Sequence, residues 1–428
     1  MASAPARALD AVILARSPHA KTVVLGLTLV ERGVRVAGRI GARRVFVFDD
    51  TVTADALTRW DAERGDAALV VIRAGDQIVH PPLLQPLLAG TSERRIAIGP
   101  DGAYAGALWA DGGAAHQVIA ALVASPDHGD REVIAAWSDA ERFAHGSIAR
   151  HSVTTPAERK AATQLLLQIL VKVDEDSPVS KYIYRPLSRP LTQLLLHTPV
   201  TPNQVSYVVG LIGLFGCFLT AQPGQSNLIW GAALVFISGI IDGCDGEIAR
   251  LKLTSSTFGA WLDTIVDELT TFSYFVAIGL HTFHLHPESW VGGSIAVGAV
   301  CYVLSIYGIY YFCIVVIKRG GSQYYAGDLV IKEDSEGPAL TPRVRTARPR
   351  PVWMQKLGLI MLYMIRRDFI NLAAFGLTFL NLYQVIYIGM LAGNVVAAIV
   401  IVPEHLKLRR QLGELRRRGG TPRFVPAA

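Results

Sequence analysis

The sequence is poor in features that would mark a secreted or zinc-binding protein. It has four cysteines among 428 residues, and none stands at the paired spacing of a zinc site or a disulfide framework. All four lie in apolar stretches, which favours buried small hydrophobes: Cys217, Cys244, Cys301 and Cys313. Residues 1–16 lack a basic leader followed by a sustained apolar core. We therefore expect no signal peptide, and a cytosolic N-terminal domain.

After residue 200, charged residues are scarce in the apolar runs and lie mainly in the loops between them. The mean hydropathy of +0.34 is high because this half is so apolar. Several runs are long enough to cross a bilayer, with bounds good to a few residues: 203–221, 227–246, 258–280, 289–317 and 369–402. The chain should therefore be an integral membrane protein.

Basic residues predict the topology of these runs. Lys and Arg are absent from the 221–227 and 281–289 loops, whereas Arg250 with Lys252, the 318–367 loop and the 407–418 tail are basic. The positive-inside rule places the basic regions and the N-terminus in the cytosol. Because a cytosolic tail requires an even number of crossings, the last run should be a hairpin turning near Asn381. The sequence thus predicts six transmembrane helices, in the cell inner membrane.

Four aspartates interrupt the second and third runs. Asp242 and Asp245 are spaced i, i+3, and Asp263 and Asp267 are spaced i, i+4, so each pair projects from one side of its helix. An ionisable group in a membrane helix costs roughly 2.5–3.5 kcal/mol, so such a cluster indicates a compensating cation or a function. The two pairs are expected to converge on neighbouring helices.

The residues around the aspartates favour a metal that holds phosphate. Mg²⁺ commonly takes a few carboxylates and completes its coordination with substrate phosphate. Gly246, Ala249 and Gly259 let a bulky ligand approach the backbone, and Arg250 offers a planar fork for phosphate. The alternative is a carboxylate network that only stabilises helix packing.

The pattern D-x2-D-G-x2-A-R-x8-G-x3-D-x3-D, complete from Asp242 to Asp267, resembles the signature of the CDP-alcohol phosphotransferases. The resemblance extends upstream to Ser180-Lys181-Tyr182-Ile183 and to the segment from Thr201 to Ser206. It covers roughly residues 175–405. It implies transfer of a substituted phosphoryl group from a CDP-alcohol, of CDP-diacylglycerol or CDP-inositol type, to an acceptor alcohol. CMP is released, as in phospholipid or inositol phosphodiester synthesis.

The resemblance also implies roles for individual residues. The four aspartates would hold two Mg²⁺ or Mn²⁺ ions, and Asp267 would also be the base that takes the proton of the acceptor hydroxyl. The residues expected to line the CMP moiety are Gly246, Ala249, Arg250, Gly259 and Asn203. For Asn203, a simple helix-start role is the alternative.

The acceptor is the least defined substrate. Arg366 and Arg367 stand at the predicted cytosolic mouth of the fifth helix, where their guanidinium groups can clamp an acceptor phosphate. That role favours inositol phosphate or glycerol phosphate. If the two arginines only anchor the interface, a neutral or lipid alcohol is favoured.

Residues 1 to about 160 have the composition of a soluble domain. Strands are predicted at Ala11–Leu14, Val45–Phe48 and Ala68–Ile72, with a helix over Glu31–Ile40, and this alternation indicates a parallel α/β sheet. The order is similar to the nucleotidyltransferase fold, with Asp76 as a possible relic of a metal ligand. The loop from Arg16 to Lys21 lacks the glycines that cradle a triphosphate, so we expect a degenerate domain.

The fold class is therefore an α-helical integral membrane domain of six transmembrane helices, preceded by a soluble α/β nucleotidyltransferase-like domain. The expected divisions are residues 1–147, the soluble domain; 148–200, a linker and interfacial helix; 201–405, the transferase domain; and 406–428, a basic cytosolic tail. The fusion resembles bifunctional enzymes that also make their CDP-alcohol, which is one alternative function. A cation or proton transporter is another. A homodimer and contacts with membrane lipid are expected, and no nucleic-acid partner is.

Overall fold

The structure is a computed structural model that describes residues 8–170, 177–318, 321, 324–334, 337–343, 353, 366–417 and 423–425. The chain divides into two compact units. The first unit comprises residues 1–173, 193–199 and 247–254, and the second comprises 174–192, 200–246 and 255–428.

The first unit is an α/β domain. Its strands are β1 Leu9–Leu14, β2 Val23–Val24, β3 Leu27–Thr28, β4 Arg44–Phe48, β5 Ala68–Arg73, β6 Gln77–Val79, β7 Arg94–Ile98, β8 Tyr104–Ala110, β9 Glu141–Ala144 and β10 Arg150–Ser152. Its helices are α1 Leu29–Arg39, α2 Ala54–Ala62, α3 Gln85–Ala89, α4 Gly112–Ala124, α5 Gly129–Ala136 and α6 Pro156–Leu167. The predicted strands and the predicted helix are all confirmed, with bounds shifted by at most two residues.

The main sheet has the strand order β4-β1-β5-β8-β7-β9. Strand β1 pairs in parallel with β4 and β5, as predicted. The prediction of a wholly parallel sheet is wrong, because β8 runs antiparallel to both β5 and β7. The cause is local: a tight turn, closed by Gly99 N–H donating to the Ala103 carbonyl at 2.8 Å, joins β7 directly to β8. A connection this short permits only an antiparallel hairpin.

Both faces of the sheet are buried. Along β1, Ala11 and Ile13 pack into one apolar cluster and Val12 and Leu14 into another. Alternate side chains of a strand point to opposite faces, so a continuous apolar run is what a sheet covered on both sides requires. Helix α1 starts at Thr28, whose hydroxyl accepts from Glu31 N–H at 3.1 Å while the Glu31 carboxylate accepts from Thr28 N–H at 2.9 Å.

The second unit is mainly helical. A π-helical turn over Ser180–Tyr184 leads into α7 Arg185–Leu196, followed by α8 Pro202–Ala221, α9 Gln225–Leu251, α10 Thr257–Leu285, α11 Ser289–Phe312, α12 Arg367–Phe379 and α13 Tyr383–Arg417. Residues Cys313–Ile317 extend α11 as a π-helix, and β11 Leu329–Asp334 pairs with β12 Gly337–Pro342 as a hairpin. The last residues of α7 and α9 belong to the first unit.

Of the helices that the structure describes, four are long and apolar enough to cross a membrane: Pro202–Ala221, Gln225–Leu251, Ser289–Ile317 and Tyr383–Arg417. The chain is accordingly an integral membrane protein. The count of six crossings stays a prediction. Helix α12 has 13 residues, or about 20 Å, which is short of the ~30 Å hydrocarbon core.

The long final run is interrupted where the sequence predicts a turn. Helix α12 ends at Phe379 and α13 begins at Tyr383. Between them, Asn381 has φ 55°, the left-handed conformation that asparagine tolerates better than most residues.

Small residues let α8, α9 and α10 approach closely. A Cβ added at Gly213 of α8 would lie 2.8 Å from Thr270 Cγ2 of α10, and one at Gly216 would lie 2.8 Å from the Gly231 carbonyl of α9. Close backbone approach at glycines is typical of helix packing in membranes. It brings the two helices that carry the aspartates onto one side of α8.

Candidate active site

The aspartates of α9 and α10 converge. Carboxylate oxygens of Asp242, Asp245 and Asp263 lie within 4.8 Å of one another, and this is the group of possible metal ligands found in the described part of the chain. Asp245 is 8% exposed, and Asp242 and Asp263 are half-buried. Three like charges at this separation repel strongly unless a cation joins them.

Asp245 is held in place from two sides. One carboxylate oxygen accepts from the Ser206 hydroxyl of α8, and the other accepts from the Gly246 N–H. The Ser206 hydroxyl also donates toward the Pro202 carbonyl at 3.3 Å. These contacts fix the carboxylate orientation, as the outer contacts of a metal ligand commonly do.

Asp242 has one oxygen engaged and one free. Its Oδ2 accepts from Arg367 Nη2 at 2.6 Å, whereas its Oδ1 is buried with no hydrogen-bond partner among the described residues. A buried carboxylate oxygen without a partner is costly. An all-carboxylate donor set with an orphaned oxygen suits Mg²⁺ or Mn²⁺, which prefer oxygen ligands. The residues present therefore fit a divalent cation.

Asp267 lies outside that group of three. Its carboxylate forms an ion pair with Arg367 of α12, so that Arg367 connects Asp267 with Asp242. All three side chains line a cavity of about 330 Å³. Arg366, which the sequence pairs with Arg367, is not among the lining residues; its Nε lies 3.9 Å from Asp368 Oδ1 instead.

The predicted nucleotide residues follow the aspartates along the two helices. Ala249 and Arg250 lie on the last turns of α9, in the segment assigned to the first unit. Gly259 lies at the start of α10, where a Cβ would come within 3.1 Å of Asn203 Oδ1. The helix-start role considered for Asn203 belongs to Thr201, which caps α8 in a capping box with Gln204.

Sequence reasoning missed three residues of the site: Ser206, Glu268 and Tyr302. Glu268 and Tyr302 line the cavity beside Asp267. Glu268 had a usable signal, because it is a third carboxylate, after Asp263 and Asp267, in the otherwise apolar run 258–280. Ser206 and Tyr302 are ordinary residues of membrane helices, and their roles emerge only from the packing of α8 and α11.

The first unit has a separate cavity of about 390 Å³ at the end of β5. Its lining includes Asp76, whose Oδ1 is buried without a partner, together with Arg73, Tyr104 and Arg150. Burial, with nearby Asp130, raises the pKa of the Tyr104 phenol. In the glycine-poor loop before this cavity, Arg16 donates to Asp127 Oδ1 and to the Asp49 carbonyl, both at 3.1 Å.

Part of the chain is similar to known proteins. Residues 199–400 match the CDP-alcohol phosphatidyltransferase family. Among curated relatives, the "Bifunctional IPC transferase and DIPP synthase" of Aquifex aeolicus is 30% identical over 129 residues, and the protein of that name from Thermococcus kodakarensis is 33% identical over 132 residues. The "Phosphatidylinositol phosphate synthase" of Corynebacterium glutamicum is 31% identical over 118 residues.

The likeness covers only part of each chain. The matches span 30%, 31% and 27% of this protein, and 29%, 29% and 51% of the respective relatives. The family is one of enzymes, which favours a transferase over the transporter alternative. The aspartate group and the cavity both lie within the matched region. Residues 199–400, slightly less than half of the chain, therefore resemble a CDP-alcohol phosphatidyltransferase domain.

Proposed function

We propose that the protein transfers a substituted phosphoryl group from a CDP-alcohol to an acceptor alcohol, forming a phosphodiester and releasing CMP. The observation that carries the proposal is the group of three carboxylates within 4.8 Å of one another, beside a cavity that Asp267 lines. The match of residues 199–400 to a family of transferases supports it.

Asp242, Asp245 and Asp263, with Asp267 as the fourth ligand, would hold two Mg²⁺ or Mn²⁺ ions. Bound divalent metal neutralises negative charge on the transferred group and on the leaving CMP. The nucleotide would lie along Gly246, Ala249, Arg250, Gly259 and Asn203. Asn203 Oδ1 lies 3.1 Å from the position that a Cβ would take at Gly259, so both residues flank the same space at the start of α10. This proximity supports a shared role.

Asp267 is the proposed base. It lines the cavity, so an acceptor hydroxyl bound there can reach its carboxylate within hydrogen-bond distance, which proton transfer requires. The hydroxyl gives its proton to Asp267 as its oxygen bonds to phosphorus and the bond to CMP breaks. Arg367 stands next to Asp267 and is the proposed contact for a phosphate group on the acceptor. Arg366, paired with Asp368, would contribute less.

The protein would work as an integral membrane enzyme of the inner membrane with six crossings and both termini in the cytosol. The basic loops and tail support this orientation. A cytosolic nucleotide could then reach the aspartates. A homodimer is part of the same proposal and rests on the family resemblance alone.

The decisive experiment is transfer by purified protein. Full-length protein is incubated with labelled CDP-diacylglycerol or CDP-inositol, Mg²⁺ and a panel of alcohols, and the phosphodiester formed is identified by mass spectrometry. We expect CMP and phosphodiester in equal amounts, lost with chelator and restored by Mg²⁺ or Mn²⁺. Undiminished turnover in excess chelator would refute the metal-dependent mechanism.

A second candidate is a bifunctional enzyme whose first unit also makes the CDP-alcohol. Two relatives carry the word "Bifunctional" in their names, and the cavity with Asp76 offers space for a ligand. Against it stands the loop from Arg16 to Lys21, which has no glycine to cradle a triphosphate. We expect the full-length Asp267→Asn variant to release no pyrophosphate from CTP and a phosphorylated alcohol. Pyrophosphate release would establish the bifunctional enzyme.

A further inference from the structure

Glu268 directly follows the proposed base and lines the same cavity. Its carboxylate is held by two phenols of the neighbouring helix α11. Tyr302 donates to Oε2 at 2.5 Å and Tyr310 donates to Oε1 at 2.8 Å. Two charge-assisted hydrogen bonds from one helix fix the position of this carboxylate relative to the cavity wall.

The two phenols leave the carboxylate able to bind a ligand. Each carboxylate oxygen has two lone pairs, and each accepts one of these bonds, so both oxygens keep capacity for another donor. Glu268 is not one of the three carboxylates grouped as possible metal ligands. Glu268 is an ionisable side chain of α10, a helix predicted from the sequence to cross the membrane; it lines a cavity and lies outside the metal group, which indicates ligand recognition.

Two hydroxyl groups of the cavity wall favour the same kind of ligand. The Thr271 hydroxyl donates to the Asp267 carbonyl at 2.9 Å, and the Ser238 hydroxyl donates to the Val235 carbonyl at 2.8 Å. Their hydrogens are therefore committed, and the oxygens that remain available are acceptors. Together with Glu268, these oxygens offer acceptors to the O–H donors of a ligand, while the Tyr274 phenol and the Asn371 amide of the same wall can donate.

Arg367 adds the opposite chemistry to this cavity. It supplies N–H donors and positive charge next to Asp267, whereas Glu268 and its phenols supply acceptors. A volume of about 330 Å³ is at the small end of the ~300–1,000 Å³ typical of small-molecule sites. Such a cavity accommodates a compact, hydroxyl-rich molecule with one anionic group.

We propose that Glu268, positioned by Tyr302, recognises the hydroxyl groups of the acceptor and makes the enzyme selective for a small polyhydroxylated alcohol. Glu268 is thus a specificity-determining residue of the site, and Tyr302 its positioning residue. The inference rests on the proposed transferase function. A lipid alcohol as acceptor is the alternative that the test must distinguish.

The test compares two acceptors that differ by one hydroxyl. Glycerol 3-phosphate and 3-hydroxypropyl phosphate are each offered to the full-length protein with the donor that supports transfer. Wild type should prefer glycerol 3-phosphate in kcat/KM. Glu268→Gln should reduce that preference roughly tenfold to a hundredfold, the effect of losing a charge-assisted hydrogen bond, while the KM for donor is retained. Tyr302→Phe should reduce it less.

Tyr310→Phe is the matched control. It removes a phenol bond to the same carboxylate, but Tyr310 is not among the residues lining the cavity. Its effect on the acceptor preference should be smaller than that of Tyr302→Phe. Equal effects would show that both phenols position Glu268 to the same extent, and Tyr302 would not be its particular positioning residue.

Binding measurements keep the inference falsifiable if turnover is lost. Glu268→Gln should bind CMP with Mg²⁺ as wild type does while binding glycerol 3-phosphate more weakly. Loss of both would make Glu268 structural and overturn the inference. Unchanged acceptor preference, or transfer only to a lipid alcohol, would overturn it and leave the transferase standing. Absence of transfer to any alcohol would instead refute the proposed function.

Discussion

Two sets of carboxylates, one in each unit, are compensated in opposite ways. In the first unit, Asp130 is fully buried and faces Arg73, whose Nη2 lies 2.6 Å from its Oδ1. Asp10, also fully buried, lies 3.1 Å from Arg43. In the second unit, Asp242, Asp245 and Asp263 face one another within 4.8 Å. Arg367 reaches Asp242 but leaves one of its oxygens without a partner.

This difference separates structural charges from functional ones. A carboxylate with its own arginine is compensated within the fold, and removing it leaves an uncompensated partner, which costs stability. Carboxylates that face one another destabilise the fold, so their removal should cost activity and little stability. Substitutions in the two sets of carboxylates should therefore affect activity and stability differently.

The largest effect is expected at the carboxylate group. Asp242→Ala, Asp245→Ala or Asp263→Ala should reduce transfer by roughly a thousandfold or more, because metal-ion stabilisation of phosphoryl transfer supplies several kcal/mol. Metal-dependent binding of the CDP-alcohol should be lost as well. The thermal unfolding midpoint should be unchanged or raised, since like-charge repulsion is relieved. Turnover and Mg²⁺ dependence are measured on purified protein.

The matched control is Asp130→Asn in the first unit. This substitution removes the charge of the buried Asp130 and leaves the half-buried Arg73 without its charged partner, which should cost on the order of 3 kcal/mol of stability. Transfer per folded molecule should remain. If Asp130→Asn abolished transfer, or if the Asp→Ala variants of the second unit only unfolded, the contrast between the units would collapse.

The next effect concerns the base. Asp267→Asn should reduce turnover by roughly 10²–10⁴-fold, because an amide cannot accept the proton of the acceptor hydroxyl. Affinity for the CDP-alcohol should change little, since the amide oxygen can still serve as a ligand and Asp267 lies outside the group of three. Donor binding is measured by equilibrium dialysis. Near-normal turnover would remove Asp267 from the role.

Much of the membrane half could be predicted from sequence, because its constraints are local. Apolar runs and the i, i+3 and i, i+4 spacing of aspartates depend only on helix geometry. The turn near Asn381 was predicted from the basic residues of distant loops, because the positive-inside rule then required an even number of crossings. By contrast, Arg367 forms ion pairs with Asp242 and Asp267, which are distant from it in the sequence. Asp242 and Arg367 are more than a hundred positions apart. Only the packing of α9, α10 and α12 places Arg367, rather than Arg366, beside these two aspartates.

The first unit shows a similar limit. The runs at β1, β4 and β5 identify buried strands, and helix α1 between β1 and β4 implies their parallel pairing. The direction of β8 depends on the turn after β7, where Gly99-Pro100-Asp101-Gly102 is a recognisable turn sequence. That sequence predicts the antiparallel β7–β8 hairpin, whereas the position of β8 beside β5 follows only from the packing of the sheet.

A smaller effect distinguishes the two neighbouring arginines. Arg367→Ala should raise the KM for a phosphorylated acceptor about ten to a hundredfold, equivalent to roughly 1.5–3 kcal/mol for a charge-assisted hydrogen bond. Arg366→Ala is the control and should change it little, because Arg366 pairs with Asp368 and does not line the cavity. Acceptor kinetics unchanged in both variants would favour a neutral polyol or a lipid alcohol.

The smallest effect on activity is expected at His80 of the first unit, which should alter stability alone. Burial, with a contribution from nearby Arg32, lowers the pKa of His80 from 6.5 to about 4. Between these values the unfolded chain binds a proton that the folded chain does not, so stability falls as pH drops from about 6.5 to 4. The shift corresponds to at most about 3 kcal/mol. In His80→Gln, the unfolding midpoint of the full-length protein should depend less on pH across this window, with transfer at pH 7 retained. If the midpoint depended on pH equally steeply in wild type and variant, the acid sensitivity would belong to groups other than His80.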